Sequence, residues 1–219
     1  MATETKAKIH TVYKTIDGAR VPSVTTILGI LNKPALLDWA WKCGVDGLDY
    51  KTVRDTAAGA GTLAHSMIQS HLSGTTCDTS EYSQQDIEKA ENAVIKFYNW
   101  LDQNPIRPLN LEFALVHEEL KYGGTIDCLA QRVDTGDIVL IDFKTGKAIY
   151  SDMFYQLSAY EELLRHNNIS FSRSMILRIG RDESEGFEVR ESGNLSAHFE
   201  LFKHALAIYR LQGELRRTK

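Results

Sequence analysis

Apolar and polar positions follow two rhythms along this chain, and the change between them falls near residue 105. The first part is spaced for helices. VTTILGIL at 24–31 follows Pro22-Ser23, and a hydroxyl at Ser23 or Thr25 can accept otherwise unpaired amide hydrogens, so a capped helix through Leu31 is predicted. Pro34 suits the first turn of a second helix holding Leu36, Leu37, Trp39, Ala40 and Trp41. A third is predicted over 52–58, interrupted by Gly59-Ala60-Gly61, and a fourth from Thr62 to near Gly74. After a polar stretch at 75–83, Ile87, Ala90, Val94, Phe97, Trp100 and Leu101 mark one face of a long helix that Pro105 and Pro108 end.

The strand rhythm is faint at 9–16, before a turn at Asp17-Gly18, and strong after residue 110. Strands are predicted at Leu111–Glu119, Gly124–Val133 and Ile138–Lys144, the last two joined by the DTGD turn at 134–137. A helix from about Asp152 to His166, strands at Arg173–Ile179 and Gly186–Arg190, and a closing helix from about Leu195 to Leu211 complete the reading. The expectation is one α/β domain over 1–219: a mixed sheet flanked by helices, with a mainly helical portion at 22–104 packed against it or arching over it.

Composition narrows the class. At 219 residues, 43% hydrophobic and 25% charged, the chain can bury one sizeable core. No apolar run is long enough to cross a bilayer, and MATETKAKIHTVYK reads neither as a secretory leader nor as a mitochondrial presequence. Cys43, Cys77 and Cys128 are odd in number and far apart, which suits free thiols in a reducing, cytoplasmic setting. A net charge of −4 excludes a generally basic nucleic-acid coat but leaves room for phosphate attraction in one groove. Lys6, Lys8, Lys14, Arg20 and Lys33 near one end, and Arg210, Arg216, Arg217 and Lys219 at the other, read equally as solvated charge.

The chemistry concentrates between Leu111 and Tyr160. In IDFKTG, strand periodicity puts Asp142 and Lys144 on one face and Phe143 on the other. The carboxylate can bind a hard cation, and the ammonium can meet a scissile phosphate. Alone, such a triplet is equally a solvated strand face. In YGGTIDCLA, Asp127 alternates with Ile126 and Cys128, and the short DTGD connection should set it beside the Asp142 strand. Burying a carboxylate unpaired among such apolar neighbours is costly, which favours a cation between the two. His65 in GTLAHSMIQSH is a further candidate ligand, or a polar residue of an ordinary helix. Glu112 lies on the strand leading to Asp127 and can support the site. Gln156 and Tyr160, four apart, share a helix face and can bind phosphate, stack on a base, or simply pack.

Taken together, GTLAH at 61–65, Glu112, GGTID at 123–127, IDFKTG at 141–146 and QLSAY at 156–160 resemble the RecB-like branch of the PD-(D/E)XK nuclease superfamily. PSVTTIL at 22–28, KPALLDWA at 33–40 and HEELKYGGTIDCLA at 117–130 extend the resemblance toward mitochondrial genome maintenance exonucleases and related phage exonucleases. The resemblance implies a restriction-endonuclease-like sheet with an N-terminal helical arch or cap. It implies Mg2+ or Mn2+ held by His65, Asp127, Asp142 and the Phe143 carbonyl, with Lys144 assisting catalysis and Glu112 supporting the site. Gln156 and Tyr160 would position metal or DNA, and Ser23, Thr25 and Lys33 would line the DNA path. The implied activity is DNA exonuclease action on single strands with free ends, leaving 5′-phosphates. An endonuclease with the same metal site and a non-catalytic DNA-binding module on the same fold are the competing readings. The cysteine set of the iron–sulfur members is missing and the chain has no room for an attached helicase, which favours a stand-alone exonuclease, while the absence of an evident mitochondrial leader favours a phage or bacterial setting.

Overall fold

The computed structural model of the chain describes residues 11–218. Residues 9–10 of the expected first strand, and the basic Lys6, Lys8 and Lys219, lie outside the described residues. What remains of that strand is β1 (Tyr13–Lys14), paired antiparallel with β2 (Arg20–Val21) across a turn in which Gly18 takes a φ of +84°. Helices come next along the chain. Ser23 caps α1 (Val24–Leu28) by accepting from the Thr26 amide at 3.0 Å. Pro34 opens α2 (Pro34–Val45), Asp49 caps α3 (Tyr50–Ser73), and Ser83 caps α4 (Gln84–Gln103).

The expected break at Gly59-Ala60-Gly61 does not occur; α3 runs unbroken from Tyr50 to Ser73. Each glycine costs about 1 kcal/mol against alanine in a helix. That cost is offset by the burial of Ala60, Leu63, Ala64 and Ile68 on the same helix. Gly61 is also required by closeness: a Cβ there would stand 2.6 Å from Thr145 Oγ1.

The remaining strands form one mixed sheet in the order β3 (Ile106–His117), β4 (Tyr122–Arg132), β5 (Ile138–Thr145), β6 (Arg173–Ile179), β7 (Phe187–Glu191). β3–β4, β4–β5 and β6–β7 are antiparallel, while β5–β6 is parallel and is bridged by α5 (Ser151–His166). α6 (Ser196–Arg217) closes the chain. β3 starts earlier than the sequence pattern suggests and carries Pro108, which is tolerated because β3 is an edge strand.

Helices cover both faces, as the α/β expectation requires. α3 and α4 bury Leu63, Ile68, Val94 and Phe97 against Val139, Ile141, Phe143 and Leu177. α1, α5 and α6 bury Ile27, Leu157, Leu163 and Phe202 against Tyr122, Ile126, Leu140 and Ile176. The 22–104 stretch is therefore divided between the two faces. α2 stands apart: among its residues Cys43 is buried, while Leu37, Trp41 and Val45 are each more than 60% exposed. No helix among the described residues is long and apolar enough to cross a membrane.

Candidate active site

The side-chain alternation of β3 and β4 slips by one residue at the same level of the sheet. On β3, Leu111 packs on the α3/α4 side, whereas Phe113 packs on the α1/α5/α6 side. On β4, Cys128 and Ile126 divide in the same way. Residues two apart should share a face, so the residue between them is irregular in each strand: Glu112 and Asp127. Leu111 pairs with Cys128 and Phe113 with Ile126, which puts Glu112 opposite Asp127. Glu112 has a φ of +42°, a strained backbone for a non-glycine residue, and its side chain is exposed. The expectation that Ile126 and Cys128 face one way is thus corrected.

The slip creates the site. The β4–β5 ladder ends at Cys128–Ile141, so the strands part just where β5 reaches Asp142. The Asp127 carboxylate fills the gap and accepts a 2.9 Å hydrogen bond from the Phe143 amide through Oδ2. Alternation places Leu140, Asp142 and Lys144 on the α5 face, and Ile141 and Phe143 on the α3 face. Asp142 is 1% exposed, and neither of its oxygens has a well-directed hydrogen bond. Lys144 Nζ lies 2.5 Å from Asp142 Oδ2, a contact that is electrostatic but off the hydrogen-bonding direction. His65, on α3, approaches from the opposite side, its ring edge-on to Phe143 at 6.1 Å between centroids.

Electrostatics couple these groups. Burial raises the Asp142 pKa to about 6, with the Lys144 ammonium opposing and the Asp127 carboxylate reinforcing the rise. Burial also raises Asp127, against the pull of Lys144 and the Phe143 amide. For Lys144 burial acts downward, but the Asp142 and Asp127 carboxylates outweigh it and hold the amine above its ordinary value. Burial, aided by Lys144 and opposed by Asp142, pushes the His65 imidazole down to about 4. At neutral pH His65 is therefore uncharged, with a lone pair free to bind a cation.

These donors fit a hard divalent ion in one respect and leave it open in another. Asp142 offers two buried oxygens without hydrogen-bond partners, beside a second carboxylate and a neutral imidazole. Among the described residues, however, no three histidine, cysteine or acidic side chains converge into a ready cage. His65 and Asp142 nevertheless lie near enough to act on each other electrostatically. Water or phosphate oxygens would have to complete the shell, as magnesium ordinarily requires.

The surrounding residues lie close in. Gln156 Nε2 donates to the Tyr160 hydroxyl at 2.7 Å, and Asp142 and Asp127 both act on Tyr160, whose pKa burial raises well above the usual phenol value. Tyr160 lies over Gly124, where a Cβ would come within 2.7 Å of its ring. Ser23 bridges to Gly123, whose amide donates to the Pro22 carbonyl at 3.0 Å, so the α1 start abuts β4. Thr25 is exposed there, its hydroxyl 3.0 Å from Ser23 Oγ. Lys33 does not stand open to solvent alone; it pairs with Asp152 at 2.7 Å.

Two participants escaped the sequence reading. Tyr13 packs on Gly123 and bonds Thr125 Oγ1 at 2.8 Å, a contact between residues 112 apart with no local signal. Asp152 had a signal: it precedes Gln156 by four and Tyr160 by eight, on one helix face. A depression of about 970 Å³ lies at the other end of α5 around Glu161, Arg165, Ser174 and Asn194. Its buried Glu161 is already bonded by Ser174 and, at 2.7 Å, by Arg165, so it presents no unpaired group.

No protein-family profile matches the chain, and no curated protein does. Solved structures similar to it include a proposed exonuclease from Eubacterium rectale, at a TM-score of 0.47 and 10% identity over 70% of this chain. LHK-Exo in complex with dAMP is similar at a TM-score of 0.41 and 12% identity, over 71% of this chain and 81% of that one. The chain spans 65% of the length of the Eubacterium rectale protein. Similarity of this order carries no functional weight, so the side chains of the site must carry the functional assignment.

Proposed function

We propose that the chain is a divalent-metal-dependent deoxyribonuclease acting as an exonuclease on single-stranded DNA with free ends and leaving 5′-phosphate products. The observation that carries the reading is Asp142: a buried carboxylate whose Oδ1 has no hydrogen-bond partner, whose Oδ2 is ion-paired with the Lys144 ammonium at 2.5 Å, and which lies beside a second carboxylate. Such an arrangement is costly for folding and suited to binding a cation next to an anion.

In this reading Asp127, Asp142, His65 and the Phe143 carbonyl would hold Mg2+ or Mn2+. Such an ion would supply Lewis acidity toward the scissile phosphate and toward water near neutral pH. Lys144, kept charged by its carboxylate neighbours, neutralises the charge that gathers on the phosphate oxygens. Water attacks phosphorus, the bond to O3′ breaks, and the products carry a 3′-hydroxyl and a 5′-phosphate. Glu112, opposite Asp127 on the edge strand, would support the site. Gln156 and Tyr160 donate to the substrate, while Ser23, Thr25 and Lys33 line its approach. The exposed Trp41 on α2 would give bases a sequence-tolerant ring to stack on.

The test is cleavage of end-labelled single strands of both polarities with Mg2+ and Mn2+. Activity is expected to need the metal, and Asp142→Ala or Lys144→Ala should lower the rate by roughly 10²–10⁴-fold. Circular single-stranded DNA should remain intact; its linearisation would replace the exonuclease by an endonuclease. Absence of metal-dependent cleavage on every DNA tried would leave a binding module.

A further inference from the structure

The Asp152 carboxylate links α2 to the candidate site. It lies in the first turn of α5, 2.7 Å from Lys33 at the start of α2. It also contributes, after Asp142 and Asp127, to the field that keeps Lys144 charged. Asp152, Gln156 and Tyr160 fall on one face of α5, and Tyr160 is in turn under the influence of Asp127 and Asp142. The Asp152 carboxylate thus acts both on Lys33 at the start of α2 and on Lys144 in the site. We infer that Asp152 is an internal stand-in for substrate phosphate, holding Lys33 in the empty protein and yielding it when a single strand arrives.

The strength of the contact suits that task. The side chains of Lys33 and Asp152 are 48% and 30% exposed, and an ion pair this open is worth little net free energy. A phosphodiester arriving at Lys33 can therefore displace the carboxylate cheaply. While the pair stands, it ties down a helix that otherwise buries little: Cys43 is the buried residue of α2. Asp152 is on this view a specificity-determining residue that repels anions unable to engage Lys33 in exchange. The inference rests on the nuclease reading, because it assigns the displacing anion to a nucleic-acid backbone.

Binding of a fluorescent single-stranded oligonucleotide, measured in EDTA to stop metal-dependent cleavage, tests it. Asp152→Asn should tighten binding roughly two- to fivefold, the range set by an exposed ion pair. In a Lys33→Ala background the same substitution should give little or no gain. With magnesium restored, Asp152→Asn should act on KM more than on kcat. Unchanged or weaker binding by Asp152→Asn overturns the inference, and so does an equal gain in both backgrounds, which would reflect total charge alone. If the wild-type protein binds and cleaves single strands but Asp152→Asn has no effect, the gate fails and the nuclease reading stands. If the wild-type protein neither binds nor cleaves any single strand, both fall.

Discussion

A carboxylate buried between Ile141 and Phe143, with Oδ1 lacking a hydrogen-bond partner and Oδ2 held only by a buried ammonium, is a poor choice for stability, since an apolar side chain would pack there at lower cost. The glycines of the site are constrained for the opposite reason, by what already touches them. Gly124 leaves room for the Tyr160 ring, and any added Cβ would fall 2.7 Å from Cε1 and 3.1 Å from Leu163 Cδ1. Both neighbours are buried in the α5 packing and have little freedom to retreat. Gly124→Ala should therefore cost about 1–3 kcal/mol, the usual penalty for overpacking a filled interior. Urea unfolding monitored by far-ultraviolet circular dichroism measures this, and a stability within a few tenths of wild type would show that Tyr160 is not held as described. Because Tyr160 moves with the clash, cleavage should fall along with stability.

At the scale of elements, most of the sheet could be read from the chain because alternation is a local property. β6 was expected at Arg173–Ile179 and occurs there, and β5 differs by one residue at its end. The candidate residues of IDFKTG and GGTID were legible for the same reason. What was not legible depends on two elements at once. The unbroken α3 needs the sheet that Gly61 approaches, and the slip at Glu112 and Asp127 needs both strands together. The β3–β4 turn holds another such feature. His117 and His166 stack at 3.8 Å, and each accepts a backbone hydrogen bond, His117 Nδ1 from Leu120 and His166 Nε2 from Glu118. Burial and the neighbouring His166 lower the His117 pKa, against the pull of Glu162 and Glu119. A histidine with a depressed folded-state pKa binds more protons when unfolded, so the stability it contributes is present above the ordinary imidazole value of about 6.5 and declines as pH falls below it. Thermal unfolding should thus show wild type losing stability between about pH 7.5 and 5.5, and His117→Gln losing less. Equal losses in the two proteins would remove His117 as the cause.

For the whole molecule, a net charge of −4 would set the manner of the proposed DNA binding as much as the site does. On that reading a strand would meet Lys33 and Lys144, each of which has a carboxylate close by. Binding to single strands should then release few counterions. With two to four phosphate contacts at about 0.7 each, the logarithm of affinity should fall against the logarithm of salt concentration with a slope of roughly −1.5 to −3. Lys33→Ala should make that slope shallower by about 0.7, because one contact is removed. A protein coated with basic side chains would give a much steeper line, and a steep line here would mean that the strand follows some broader track than Lys33 and Lys144. A shallow slope that Lys33→Ala leaves unchanged would instead take Lys33 out of the interface, and the guiding charge would have to be sought on the β1–β2 hairpin at Lys14 and Arg20.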